Sequence, residues 1–592
     1  MFVAFDTETT GLSTFEGKRM FAYSLGYEDG RTEVYRLDDS SPSRRDEAWG
    51  VLDRLWSDTS IVKVMHNAKF DIKFTEVALG RRLAEDHPFE DTSLAAHLVR
   101  CNMSNKLKDL AYAIAGVPKD DEKEVQRWAK GDDDDVNYQI VPVEVMNRYQ
   151  HRDALRTILL HRFFSPKVND NPAWTSEYIM ERELVIATMR MEEIGLRLNI
   201  PKTQKLIKKL DEDCQIVLDE AAEFYGTRID LGKDMKVRRV LYEELKLPIV
   251  KRTATKMPSV DKDALQQLRD LGHAHPFLDM VQKYRSYKRG MSMLQSYIDH
   301  CDENSKVHPS IKTCGAITSR ESSSKPNLQN VETEGKASNP YPVPARTVFE
   351  PEPGYVNFHI DYAAQEFRLL VHYSGDEELV DEVWREGGDP HALTAAIWYP
   401  EFPALDPKSP ERKQKRDNSK GTNFAICYGA GPEKVAKVLQ LPLEVVKPRY
   451  GNFKTRFPNL AGLQRTMGAF ARKHGYVVNA FGRHVYLPRE QAYMSVNYII
   501  QSTGACMLKH SQVRVTEILN KYSDGNMQIL LPIHDELIFR CARVYLPKAR
   551  GMLRTVREAM IDFPQFKVPM EIEVSIVTRD WATKKDYPLH TD

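Results

Sequence analysis

The residues best suited to chemistry appear at once. MFVAFDTETTGL ends an apolar run in two carboxylates, Asp6 and Glu8. On a strand, residues i and i+2 share a face, so the two acids project together while Val3 and Phe5 take the other side. Adjacent carboxylates repel unless a cation lies between them, and hard divalent ions prefer such oxygen ligands. Further on, HNAKFDIKF supplies Asn67 and Asp71, and RYQHRDALR supplies Tyr149 and Asp153. That tyrosine and aspartate are four apart and share a helix face. His151 falls inside the second segment, but the spacing suits Tyr149 better, and His151 reads as a neutral surface residue.

A second acidic set lies in the C-terminal half. YVNFHIDYAAQEFRLL ends an alternating strand at Asp361, with Val356, Phe358 and Ile360 on the opposite face. MQILLPIHDELIFRC places His534, Asp535 and Glu536 between two apolar runs, as at a hairpin tip. Acids buried at strand ends need a counter-charge, so Asp361 and Asp535 could share a second pair of metals. A merely solvated turn at His534–Glu536 is the competing reading. Between these segments, RDNSKGTNFAICYGAG puts Arg416, Lys420, Phe424 and Tyr428 at steps of four, a drift of about 120° in total. One helix face thus carries two cations, suited to a triphosphate, then two rings, suited to sugar and base. No GxxxxGK[ST] loop exists to serve phosphates otherwise.

DxE, then NxxxD, then YxxxD resembles the DEDD-type 3′–5′ exonucleases of the tyrosine subclass. The resemblance implies Asp6, Glu8, Asp71 and Asp153 holding two Mg²⁺ ions, with Mn²⁺ able to substitute, and Tyr149 orienting the attacking water. Leu12 matches a position that contacts the terminal base in that family, with core packing as the alternative. The later segments resemble the family A DNA polymerases, because TSRESSSKPNLQN, PARTVF, DYAAQEFR, GGDPHA, RDNSKGTNFAICYG, YVVNAFGRHVYLP, SVNYIIQSTGACMLK and IHDE occur in that family's order.

Carried over residue by residue, the resemblance makes Asp361 and Asp535 the polymerase metal ligands, again for two Mg²⁺, with Glu536 beside them among the catalytic groups. Arg416 and Lys420 hold the incoming phosphates, Lys420 also serving as proton donor to the leaving pyrophosphate, and His391 adds a phosphate contact. Tyr428 lies by the nascent pair, Glu366 excludes a 2′-hydroxyl, and Phe424 implies poor acceptance of dideoxynucleotides. Arg320, Asn497, Gln501 and His534 contact the duplex near the primer end, while Lys283, Arg285, Lys288 and Arg289 grip phosphates. Ser319, Tyr493 and Ala363-Ala364-Gln365 depart from the family's usual residues and leave primer contact and fidelity open.

The elements that must position these residues follow from pattern. Residues 1 to about 165 alternate strand-like runs (VAFDTE, IVKVMH) with helical ones (DTSLAAHLVR, LKDLAYAIAG). From about 170 to 310 the pattern is helical and highly charged; afterwards strands mix with long helices. The acidic run at 131–137 reads as a solvated loop. The pattern gives an α/β and α+β multidomain chain; the resemblance implies an RNase H-like exonuclease domain, 1–168, then a right-hand polymerase domain, 169–592. Its thumb spans about 169–310, its palm about 311–380 and 485–592, and its fingers about 381–484.

Bulk properties set the outer bounds. The length of 592 residues suits roughly three to five domains. With 42% hydrophobic and 28% charged residues the composition is that of a soluble globular chain. Lys plus Arg equals Asp plus Glu at 84 each, which neither points to nucleic acid nor excludes a locally basic cleft. Seven scattered cysteines with no CxxC argue against a disulfide framework or zinc ribbon. No apolar run is long enough for a membrane span, and no signal peptide opens the chain, so a cytoplasmic location is expected, with an organellar one after leader removal as the alternative.

The reading is a template-directed polymerase with proofreading, of a short phage-like replicative type without a 5′-nuclease domain. Primer-template DNA and dNTPs are the expected partners, with unidentified replication proteins (helicase, single-strand binding protein, processivity factor). The rival readings are an exonuclease with an inactive polymerase module and a non-catalytic DNA-binding scaffold.

Overall fold

The computed structural model describes residues 1–130, 137–331, 340–385 and 388–589. Residues 131–136 of the acidic run at 131–137, expected to be a solvated loop, and Gly387 of the GGDPHA segment lie outside the described residues.

The first part is an α/β unit on a five-stranded sheet of order β3-β2-β1-β4-β5. These strands are β1 (Phe2–Thr9), β2 (Met20–Tyr27), β3 (Thr32–Arg36), β4 (Val62–Met65) and β5 (Phe89–Asp91). β1 runs antiparallel to β2 and parallel to β4, so it is the central strand. Val3 and Phe5 enter a core with Tyr23, Trp56 and Ile72, which leaves Asp6 and Glu8 for the opposite face. Helix Val143–Asn169 lies over that face, backed by Leu107–Ala115, whereas Ala68–Leu79, with Ile72 in the core of Val3 and Phe5, brings Asp71 to the strand's end from the other side.

Helix Pro172–Ile194 leads out of this unit and is buried along much of its length, including Glu177, Glu181 and Glu192. Two long helices follow, Ile200–Tyr225 and Pro276–Asp299, packed along each other. They share a separate small core of Cys214, Val217, Leu241, Phe277 and Val281. Asp261 caps helix Lys262–Asp270 by accepting from the Ala264 amide.

The second sheet is antiparallel, with strands in the order Met527–Ile533, Glu536–Ala542, Tyr355–Tyr362, Ile572–Val577 and Lys585–Asp586. Its central strand is the one that ends in Asp361. Val356, Phe358 and Ile360 join the largest core, which helix Ser495–Tyr522 helps to close. Helices Pro390–Trp398, Pro410–Cys427 and Pro458–His474 form a helical group beside the sheet. Five of the seven cysteines are buried, the other two half-buried, and all are free.

Candidate active sites

At the first site, Asp71 is reached from β1 itself. Its Oδ1 accepts from the Thr7 amide at 3.0 Å and the Thr7 hydroxyl at 2.7 Å. Asn67, with φ 73, sits in the left-handed region and turns the chain into helix 68–79, its amide donating to Asp91. Asp153 projects from helix 143–169, where Arg156 Nη1 lies 2.6 Å from its Oδ1. Lys108, on helix 107–115, donates to the Tyr149 hydroxyl at 2.7 Å and stands 3.3 Å from Asp153 Oδ2. Sequence reasoning missed Lys108, because nothing in LKDLAYAIAG links it to a tyrosine 41 residues away.

The electrostatics of this cluster are unbalanced. Burial pushes Asp6 well above the usual carboxylate range, with Asp71, Asp153 and Glu8 adding repulsion. Glu8 is pushed up to about 8 by burial and then by Asp153. Asp71 rises to about 7, mainly from burial and against the Thr7 hydrogen bonds. Among the described residues no three such side chains are drawn tight enough to cage an ion as they stand. The site instead presents a concentration of carboxylates with too little positive charge, which is the donor chemistry a hard divalent cation fits.

Leu12 is 64% exposed, which removes core packing as its explanation. His151 is not a free surface residue: its Nδ1 lies 2.8 Å from the Thr32 hydroxyl, and it is half-buried.

At the second site, Asp361 pairs across the sheet with Glu536. His534 and Asp535 form the hairpin turn, His534 with φ 56, and Glu536 already begins the next strand. Burial pushes Asp361 up to about 7, with Asp535 and Glu536 adding to the rise, and its Oδ1 is buried without a hydrogen-bond partner. An orphaned carboxylate oxygen facing a second aspartate again fits a divalent cation.

Glu536, expected among the catalytic groups, stands opposite Asp361 with partners of its own. It is 7% exposed, and its Oε1 accepts from His359 Nδ1 at 2.5 Å and from the Lys584 ammonium. Burial alone would raise it, but those two partners hold it down at about 2. Both partners lie on Oε1, so this oxygen ties the start of its strand to His359 and Lys584. Its partner His359 shares the strand face of Asp361, a relation the period of two would have shown.

The helix Pro410–Cys427 presents the expected stripe. Arg416 is half-buried with Nε 2.5 Å from Asp389 Oδ2, while Lys420 is exposed. Phe424 lies edge-on to Phe367 and stacks toward Tyr428, with centroids 6.0 and 6.5 Å apart. Tyr428 caps the helix and is 37% exposed; burial and then Glu366 push its hydroxyl upward. Glu366 stands 3.5 Å from Arg320. Asn497 and Gln501 hydrogen-bond to each other at 2.9 Å on helix 495–522. Arg320 and His534 line one small cavity with Gln329 and Pro532.

Two expected DNA and nucleotide contacts are corrected. His391 is only 2% exposed, packed on Phe367 at 4.2 Å, and burial with Arg416 lowers it to about 4. It is a neutral interior imidazole here, not an exposed phosphate ligand, because the Asp389 cap fixes it inside the first turn. Arg285 donates to the Leu231 and Val260 carbonyls and to Asp234, so it ties its own helical part together. Lys288 stands 3.4 Å from Asp211, Lys283 is half-buried, and Arg289 is exposed.

Comparison with known proteins gives the order of the two parts along the chain. The sequence profile described as 3′–5′ exonuclease matches residues 2–169, and that of DNA polymerase family A matches residues 200–583. A thermostable DNA polymerase I of Thermus filiformis is 30% identical over 452 residues, 73% of this chain and 51% of its own length. DNA polymerase I of Pseudomonas aeruginosa is 26% identical over 605 aligned residues, covering 97% of this chain and 63% of its own. The chain thus spans about half the length of the thermostable relatives it matches. The solved polymerase domain of Pol1 from M. smegmatis, in complex with DNA primer-template and dNTP, shares the fold with a TM-score of 0.75 at 24% identity, covering 98% of this chain and 95% of that one. With its family profile spanning well over half of the residues and an exonuclease profile ahead of it, this chain belongs to DNA polymerase family A.

Proposed function

We propose that the chain is a DNA-directed DNA polymerase that extends primer 3′ ends on a template and trims them at a separate 3′–5′ exonuclease site. One observation carries this reading: two carboxylate clusters, each at the end of a central strand, with a helix bearing cations and rings in series whose Phe424 packs on Phe367, six residues after Asp361. The relatives' printed names and the primer-template and dNTP in the Pol1 complex support the same partners for this chain.

Asp6, Glu8, Asp71 and Asp153 would hold metal at the first site, and Asp361 with Asp535 at the second. Enzymes of this family depend on divalent metal; two Mg²⁺ per site, replaceable by Mn²⁺, is the loading proposed. Bound there, such ions activate the attacking oxygen and neutralise charge on the leaving one. Lys420 and Arg416 bind the triphosphate, and Lys420 is placed to give a proton to departing pyrophosphate. Phe424 and Tyr428 pack against sugar and base, and Glu366 closes the space a 2′-hydroxyl needs. At the exonuclease site Tyr149 orients the attacking water, and Leu12 offers an apolar seat for the terminal base. Arg320, Asn497, Gln501 and His534 face the duplex, with Arg289 and Lys283 available to phosphates.

The same reading divides the chain into an exonuclease domain, 1–168, and a polymerase domain, 169–592, with thumb, palm and fingers as expected from sequence. Among the described residues no helix is long and apolar enough to cross a membrane. We place the enzyme in the cytoplasm, working with other replication proteins.

Primer extension tests the reading directly. A labelled primer on a longer template should lengthen with dNTPs and Mg²⁺; no lengthening rejects it. Asp361→Asn should abolish extension, whereas Asp6→Ala should abolish trimming and leave extension intact.

A further inference from the structure

We propose that Glu192 is a positioning residue for the exonuclease reaction, clamping the helix that carries Asp71 to the polymerase body. This rests on the exonuclease reading above. Glu192 ends helix 172–194 and is 2% exposed. Its Oε1 accepts from Lys69 Nζ at 2.9 Å and from the Ile311 amide at 2.8 Å, and its Oε2 accepts from Lys73 Nζ at 2.8 Å. The Lys69 ammonium also donates to the Thr188 hydroxyl at 2.7 Å and the Ile311 carbonyl at 2.5 Å. All three ammonium donors and both carboxylate oxygens are therefore engaged, an arrangement that tolerates little displacement.

The clamp grips the helix opposite its functional side. Lys69 and Lys73 each stand two residues from Asp71, about 200° around the helix. Helix 68–79 is thus held on one side by Glu192 and on the other by the Thr7 bonds to Asp71. A second tie uses the same residue: the Glu192 carbonyl accepts from His308 Nδ1 at 2.6 Å, and the His308 ring stacks on Phe15 at 4.0 Å. Phe15 lies in the short 3-10 helix Thr14–Glu16 that follows Leu12. The clamp floors a cleft of about 290 Å³ whose walls include Leu12, Asn67 and Phe70 from one part and His308 and Lys312 from the other. Ile311 belongs to strand Ser310–Lys312, which pairs with Ser322–Ser324, and the segment between them carries Arg320. One carboxylate therefore sets the position of Asp71 and Leu12 against a hairpin that reaches the other active site. Displacements of about 1 Å at a reacting centre cost up to about 100-fold in rate.

The test compares full-length wild type, Asp6→Ala, Glu192→Gln, Lys69→Met and the double variant on a single-stranded oligonucleotide, and in primer extension. Glu192→Gln should cut exonuclease kcat about 5- to 20-fold with KM within about twofold, and leave extension within about twofold. Lys69→Met and the double variant should show about the same deficit, not the product of two, because each variant removes the ion pair the two residues share. Lys73→Met keeps the inner Lys69 bridge, so it preserves folding and should lower exonuclease kcat about two- to threefold. Glu192→Gln with wild-type exonuclease kcat overturns the proposal, as does a fall in both activities in parallel with the melting temperature. An inactive wild-type exonuclease would instead overturn the reading on which the proposal stands.

Discussion

Arg416 Nε lies 2.5 Å from Asp389 Oδ2, while Asp389 Oδ1 accepts from the amides of His391 and Ala392. The same carboxylate therefore caps one helix and occupies the guanidinium that heads the cationic stripe of another. An incoming triphosphate must compete with it. Both side chains are about a third exposed, so the pair contributes roughly 0.2–1 kcal/mol. Asp389→Asn retains a good N-cap but removes the competing charge. The expected outcome is a fall of about two- to fivefold in KM for dNTP with kcat little changed. Steady-state single-nucleotide incorporation measures it; a raised KM would show that Asp389 orients Arg416 rather than competing for it.

Phe424 offers a ring without a hydroxyl where the cationic stripe gives way to aromatics. A nucleotide lacking its 3′-hydroxyl loses a hydrogen bond that this side chain cannot replace. Phe424→Tyr supplies a hydroxyl at that level of the helix, worth about 1–1.5 kcal/mol if it bonds the substrate. Incorporation of dideoxynucleotides relative to dNTPs should rise about tenfold, read as chain termination on a primed template. Unchanged discrimination would place the ring away from the sugar.

The sequence revealed side chains whose partners are local or whose register is periodic. Asp6 and Glu8 follow from a period of two, Tyr149 and Asp153 from a spacing of four, and Arg416 to Tyr428 from the same step repeated. Each remained where its element put it. The misreadings share a cause as well: the outcome depended on groups distant in the chain. Arg285 looked like a phosphate contact but donates to carbonyls 54 and 25 residues earlier. Glu536 read as a lone acid beside Asp361, and its partner Lys584 is 48 residues later. His391 sits at a helix start that reads as open, and only packing on Phe367 buries it. Glu192, whose lysines are 119 and 123 residues away, carried no local signal at all.

Lys108 should matter to trimming and not to synthesis. It donates to the Tyr149 hydroxyl at 2.7 Å, stands by Asp153, and lies 4.2 Å from the centre of the Tyr149 ring. Lys108→Met removes the donor that fixes the tyrosine and a cation beside a crowded set of carboxylates. Exonuclease kcat should fall about tenfold or more, with primer extension unaffected. Lys108→Arg should recover part of the loss, since charge and a donor return with altered reach. Digestion of a single-stranded oligonucleotide decides it, and full activity in the methionine variant would relegate Lys108 to packing.

His97 should make the junction between the two parts acid-sensitive. It is 6% exposed, and burial, then the Arg483 and Lys509 cations, lower it to about 3, with Glu181 opposing. Its Nε2 donates to the Ala316 carbonyl at 3.0 Å, while Nδ1 is buried without a partner. In the unfolded chain the imidazole takes up a proton near pH 6.5. Folded, it resists protonation, so the unfolded state binds more protons between pH 6.5 and about 3. Stability is then complete above pH 6.5 and falls as pH drops through that window, by about 2 kcal/mol at pH 5 from this residue alone. Glu181, held down at about 2 by Lys509 and Arg483 against its burial, contributes only below about pH 4.5 and does not confuse the range from 7 to 5. His97→Gln keeps an amide donor for Ala316 but cannot titrate. Its melting temperature should drop less than that of wild type between pH 7 and pH 5; parallel curves would mean that His97 takes up its proton as readily folded as unfolded.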